Sequence, residues 1–308
     1  MPAVITLLIP LFLMILLGYI LKYFNIVHVE FWPALEKITY FVFFPALLIH
    51  QLSQPPLHDL NALPLAIVFA LAVCLSAVLL LLLRRFLPIS EVVFGSLFQG
   101  SIRFNSYLGV AVALSLHSTL GLLVSAVALI AMIPLINVWC VFVLARGNGK
   151  QKMTATAFGV VLLKNPLIIG CFIGISLNFL SWELPLFIKP LFHILGQATL
   201  PLGLLAVGAA LQLTAIQNNS WVLLLSLILK LLLFPVLVWL LCKWLNIIEV
   251  MQDIAVMFAA LPTATSAYIL ARQMRGDYVL MANIITAQTL LAMLTMPIIM
   301  MLLASHAN

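Results

Sequence analysis

Apolar runs about twenty residues long, each closed by a charge or a turn residue, follow one another along this chain. A helix that crosses the hydrocarbon core of a bilayer needs ~20 such residues. The supply suits ten of them, because 65% of the 308 residues are apolar and only 7% are charged. Soluble domains run nearer half apolar and a quarter charged, so this chain lacks the polar groups to coat a water-facing surface. That excludes a cytoplasmic enzyme, a secreted disulfide scaffold and a disordered chain. The fold class that remains is an all-α, polytopic membrane protein, with the lipid bilayer as its surroundings.

The spans read at about 4–23, 35–52, 63–83, 92–116 and 120–144, and then at 155–178, 186–212, 220–244, 252–271 and 279–303. The first has no basic n-region and no small-x-small cleavage site, so it reads as a retained span and not a signal peptide. Cys74, Cys140, Cys171 and Cys242 lie singly in apolar runs, as buried small hydrophobes do. The net charge of +6 comes with no basic run longer than Arg84-Arg85, which makes a nucleic-acid partner a poor reading. With the N-terminus outside, nine Lys and Arg fall on the cytoplasmic side, two on the opposite side and three within spans. The bias places both termini outside the cytoplasm.

The polar stretch Arg146-Gly147-Asn148-Gly149-Lys150-Gln151-Lys152 divides the chain into a five-span repeat (1–145), a cytoplasmic linker (146–154) and a second five-span repeat (155–308). The halves echo each other. Phe44-Pro45-Ala46 in span 2 answers Leu200-Pro201-Leu202 in span 7, and Phe98 before the polar run of span 4 answers Phe258 in span 9, at offsets of 156 and 160 residues. Five is odd, so the second copy must enter the membrane upside down. Inverted repeats with interrupted helices in matching places are the pattern of secondary transporters, and the interruptions mark the substrate site.

Arg103 follows Glu91 by twelve residues, or ~18 Å of helix, which is near mid-bilayer. An intramembrane arginine there is costly and reads as functional by default. Gly100, Ser101, Asn105 and Ser106 surround it with groups that loosen a helix or bond to backbone. In span 9, Pro262 removes an amide donor, and Thr263, Thr265 and Ser266 can serve freed carbonyls or a ligand. If both spans unwind and meet, half-helix N-termini beside Arg103 favour an anion. Pro262 and its hydroxyl neighbours read equally well as a kink bonded to its own helix. Lys164 and Asn165 in span 6 form a second candidate cluster, with snorkelling of Lys164 towards the cytoplasm as the alternative. Lys230 has no polar neighbours in sequence and reads as snorkelling or structurally paired. Pro45 and Pro201 are expected to break spans 2 and 7, as gates or site walls. Gly170, Gly174, Gly203 and Gly208 fit close helix packing, and His50 and His193 fit structural bonds.

All eight acidic residues lie in loops or at span ends. That disfavours an intramembrane carboxylate relay and excludes proteolysis by paired aspartates. No HExxH motif exists, so no catalytic residue, cofactor or metal is expected.

The run Gln99-Gly100-Ser101-Ile102-Arg103-Phe104-Asn105-Ser106-Tyr107-Leu108-Gly109 resembles the fourth-helix signature of the bacterial auxin efflux carrier family. Lys164-Asn165-Pro166-Leu167-Ile168-Ile169 and Leu261-Pro262-Thr263-Ala264-Thr265-Ser266-Ala267 are similar to its sixth- and ninth-helix motifs. The resemblance covers essentially the whole chain. It implies a bile-acid-symporter-like 5+5 inverted repeat of ten transmembrane helices, with broken, crossing helices 4 and 9 that hold substrate. It also implies a scaffold and a transport domain, elevator-type movement, organic anions as substrates and a homodimer formed through the scaffold. Span 4 departs from the plant members in having no proline. The reading that follows is a secondary carrier of small organic anions, mono- or dicarboxylates, in a bacterial inner membrane. A different 5+5 metabolite transporter and a channel are its rivals.

Overall fold

The computed structural model describes residues 2–53, 62–147, 166–180, 182–211, 220–247 and 249–306. Among these residues the regular structure is entirely helical: α1 Pro2–Tyr23, α2 Phe31–Ile38, α3 Phe44–Leu52, α4 Ala62–Leu83, α5 Glu91–Ile102, α6 Ser106–Gly147 and α7 Pro166–Phe179, then α8 Ile188–Ala210, α9 Ser220–Ile228, α10 Phe234–Trp244, α11 Glu249–Ala259, α12 Ser266–Gln273 and α13 Tyr278–His306. Among the described residues, six stretches are long and apolar enough to cross a membrane: Phe31–His50, Ala62–Phe86, Leu120–Arg146, Ile188–Ala210, Ser220–Trp244 and Tyr278–Leu303. Large apolar side chains such as Leu13, Leu82, Phe172 and Leu294 stay exposed, while Gln99, Thr263 and Gln288 are buried. Polar inside and apolar outside is the arrangement lipid requires. The protein is a multi-pass membrane protein.

Two prolines shape their helices without stopping them. Before Phe44-Pro45 and again before Phe234-Pro235 the backbone widens into one π-helical turn, Thr39–Phe43 and Leu229–Leu233. Proline offers no N–H, and its ring collides with the carbonyl four residues back. A wider turn makes room and lets the helix run on. The break expected at Pro45 is therefore a bulge. Pro201 corrects the expectation further, since it sits exposed inside the continuous α8. The loop expected near 116–120 is reduced to a bend inside α6 at Ser118, where φ is 46°. Of the linker at 146–154, Arg146 and Gly147 form the end of α6 and the rest lies outside the described residues.

The chain divides into two compact units. The first holds α1–α3, Tyr107–Ile130 of α6, α7 and α8; the second holds α4, α5, residues 131–147 of α6 and α9–α13.

In the first unit α1 and α8 pack backbone to backbone. A Cβ on Gly18 would overlap the Leu205 carbonyl, and one on Gly208 would overlap the Ile15 carbonyl. The contact is thus matched from both sides by glycines, which is how helices approach closely in lipid. Lys22 Nζ then donates to the Ala209 carbonyl at 2.6 Å, placing a cation at the negative end of α8. A Cβ on Gly170 would come 2.9 Å from Pro45 Cα and one on Gly174 2.9 Å from Leu52 Cβ, so α7 rides close on α3. Gly203 makes room for the Tyr107 ring. His50 Nε2 and His193 Nδ1 lie 3.1 Å apart, a structural bond between α3 and α8.

Gly208→Ala is expected to push α1 and α8 apart and cost about 2 kcal/mol. Gly196→Ala, whose Cβ would stand 3.2 Å from Leu47 Cα, should cost less than about 1 kcal/mol, helped by the better helix propensity of alanine. Thermal unfolding of the two variants in detergent checks this order.

Candidate functional site

The second unit is built around two helices that stop inside it. The first, α5, is buried from Phe94 to Ile102 and ends there; Arg103 takes extended dihedrals (φ −75°, ψ 156°), and helix resumes at Ser106. The second, α11, ends at Ala259, and helix resumes with α12 at Ser266. Pro262 explains the second interruption, because it cannot donate to a helix and biases the residue before it towards extended backbone. No proline explains the first. There the freed backbone is held from outside its own strand of chain.

The two interruptions meet. The Asn105 N–H donates to the Pro262 carbonyl at 2.8 Å. Gln288 of α13 then ties both together. Its Oε1 accepts from the Thr263 N–H at 2.9 Å, and its Nε2 donates to the Gly100 carbonyl at 2.8 Å. The amide orientation follows from its neighbours, since an N–H requires the oxygen and a carbonyl requires the NH2. The Thr263 hydroxyl lies 2.7 Å from Gln288 Oε1 and 2.9 Å from the Gly100 carbonyl, and its single proton serves one of them at a time. The Gly100 carbonyl is one of the last four of α5, which have no acceptor role within their own helix. A second, longer contact links Gln288 Nε2 to the Ser226 carbonyl at 3.4 Å.

Arg103 projects from this junction. Its Nη2 lies 3.4 Å from Ser266 Oγ, a weak contact. Its Nη1 is buried and makes no hydrogen bond. The guanidinium neighbours the Cys140 thiol of α6, and it meets no carboxylate among the described residues. The guanidinium is thus half-buried with one N–H pair unused, between Ser106 at the start of α6 and Ser266 at the start of α12.

Arg103, Asn105, Pro262, Thr263 and Ser266 therefore come together as one cluster. Ser106 opens α6 beside it, and Thr265 is buried immediately before α12. Gly100 is not where the helix breaks. It lies inside α5, where a Cβ would come 2.6 Å from Ile284 Cγ2, so its glycine allows close approach of α13. Pro45 and Pro201 belong to the other unit. Lys164 and Asn165 lie outside the described residues. Lys230 does not snorkel: it is fully buried, with Nζ 4.3 Å from the centre of the Phe234 ring. Gln288 was not singled out in the sequence, although an amide in the middle of an apolar span is the signal that would have found it.

A family model described as a membrane transport protein matches residues 3–300. The chain belongs to the auxin efflux carrier-type membrane transport family. It is a transport protein and not an enzyme. A protein of Rhizobium meliloti (strain 1021) named "Putative malonate transporter" is 28% identical over 279 residues, covering 87% of this chain and 85% of that one.

Gln288→Leu should leave the Thr263 N–H buried without a partner and the Gly100 carbonyl with the Thr263 hydroxyl alone, at a cost of about 2 kcal/mol. Thermal unfolding in detergent should show the loss, and uptake by the reconstituted protein should fall with it. A Gln288→Leu protein as stable as the parent would show that the bracket is dispensable.

Proposed function

We propose that this protein is a secondary carrier of small organic anions, mono- or dicarboxylates, in a bacterial inner membrane. The observation that carries the reading is the Arg103 guanidinium, with Nη1 buried and unpartnered where two interrupted helices meet. An intramembrane arginine is retained where it serves a ligand or a pathway. Without a carboxylate partner its charge is available to a solute. Asn105, Thr263 and Ser266 offer neutral polar groups beside it, and the first amides of α6 and α12 add partial positive charge. One cation with neutral donors binds an anion and still releases it. The kinship with a protein named as a malonate transporter makes a three-carbon dicarboxylate the first substrate to test.

The architecture we propose is a 5+5 inverted repeat of ten transmembrane helices, with the helices broken at Arg103–Asn105 and Ala260–Thr265 as the equivalent crossing pair. The near-equal offset of the two breaks within the two halves of the chain supports it, as does their backbone hydrogen bond. Both breaks belong to one compact unit, which supports an elevator in which that unit carries substrate as a body and the other acts as scaffold. A homodimer would form through the scaffold unit, and the charge bias supports an orientation with both termini on the periplasmic side.

Malonate uptake into proteoliposomes tests the reading. Arg103→Ala should reduce uptake at least tenfold while leaving the protein inserted and folded, and Arg103→Lys should retain part of it as a point charge without the planar fork. Saturation at low turnover separates a carrier from a channel. Uptake unchanged in Arg103→Ala would overturn the assignment.

A further inference from the structure

Gln99 lies in the last turn of α5, four residues before Arg103, which caps that helix. Its side chain is 0% exposed, and neither its Nε2 nor its Oε1 has a hydrogen-bond partner. Gly95 and Gln99 share a face of α5, and Arg103 follows at the same four-residue spacing as the residue that caps the helix, its N–H bonded to the Gln99 carbonyl. That face is turned to the second half of α6. A Cβ on Gly95 would come 2.7 Å from Leu144 Cδ2, and Arg103 neighbours the Cys140 thiol. An amide idle at both ends, one turn from a guanidinium idle at Nη1, is a second polar group of the same site. Buried side-chain amides are otherwise satisfied as a rule.

The two ends of the amide decide what it can take. A carboxylate has only acceptors; it would suit Nε2 and set a like partial charge against Oε1. A protonated carboxyl has one O–H and one C=O, matched to Oε1 and Nε2, and closes a ring of two hydrogen bonds. Arg103 supplies counter-charge for a carboxylate at its own position, whereas an ionised carboxylate against Gln99 would be buried on a neutral amide that supplies none.

Among the described residues, the titratable and charged groups on the elements packed against α5 are Cys140 and Arg146 of α6, Lys230 of Leu229–Leu233, Tyr268 and Arg272 of α12, and Tyr278 of α13; α9 brings none. The Lys230 ammonium stands over the Phe234 ring, 4.3 Å from its centre. Asp277, ahead of α13, accepts from the Leu280 N–H. Glu91 lies at the far end of α5, paired with Arg84 at 2.9 Å.

We infer that the site takes a short dicarboxylic acid as its monoanion, with the carboxylate on Arg103 and the protonated carboxyl on Gln99. The inference rests on the carrier reading above and names the form of the substrate. The carboxyl O–H bond stays intact throughout, so each transported molecule carries one proton and one net negative charge. The proton needs no titrating residue in the protein.

Binding to the full-length, detergent-purified protein, measured by calorimetry with malonate and with its monoamide, tests this. The monoamide keeps one carboxylate and replaces the second carboxyl by a neutral group that both donates and accepts. Its affinity should stay constant across the pH range of malonate's second ionisation, which also controls for titration of the protein. Malonate should weaken about tenfold per pH unit above that ionisation, because the competent fraction falls by that factor. Gln99→Leu, with Gln99→Met as the closer isostere, should weaken the monoamide and low-pH malonate about tenfold. Its unfolding temperature without ligand should hold or rise, since an unpartnered amide has been removed. Malonate affinity independent of pH, or both affinities unchanged in the Gln99 variants, would overturn the inference and leave the carrier reading standing. A parent protein that binds neither compound at any pH would end both.

Discussion

Backbone that leaves a helix inside a membrane must find its hydrogen bonds within the protein, because lipid supplies none. The second unit is organised by that requirement. Ending α5 at Ile102 and α11 at Ala259 frees amides and carbonyls at depth. They are recovered by one main-chain bond, Asn105 N–H to the Pro262 carbonyl, and by one side chain, Gln288. Each interruption is thus the other's partner. Neither would be tolerable alone, and together they bring two helix starts and an arginine to one place.

The same junction holds the arginine without a counter-charge. Its neighbours are serine, threonine, asparagine and a thiol, and none of them neutralises it. A carboxylate in the protein would have made Arg103 a structural ion pair, worth little to a solute. With its Nη1 idle, the desolvation of the guanidinium is a standing cost that an anionic ligand can offset. Gln99 is a second group left unsatisfied in the folded chain, in the last turn of the helix that Arg103 caps. Such residues reduce stability.

The first unit is held together differently. Glycines on α1, α7 and α8 let main chains touch, and a lysine caps the end of α8. Hydrophobic driving force is absent between helices in lipid, so close van der Waals contact takes its place.

Hydropathy, charge bias and the polar run at 103–107 were enough to read a helical membrane protein and to point at Arg103, Asn105, Pro262 and Thr263. These signals are local: a span needs only its own apolar length, and an intramembrane charge is anomalous wherever it packs. Proline was the less faithful sign. Pro45 and Pro201 look like breaks in the sequence, yet a π turn absorbs the first and α8 absorbs the second, because neighbours decide whether a freed carbonyl can be served. Gly100 likewise looked like a weak point and proved to be the contact that admits α13. Gln288 lies 25 residues from Thr263 and 188 from Gly100, and no spacing rule links such positions. The sequence alone determined the solvent this chain folds in and where its anomalous charge lies. Only the tertiary structure decided which interrupted helices meet and which amide binds them, since satisfying buried backbone is a property of the assembled unit and of no single segment.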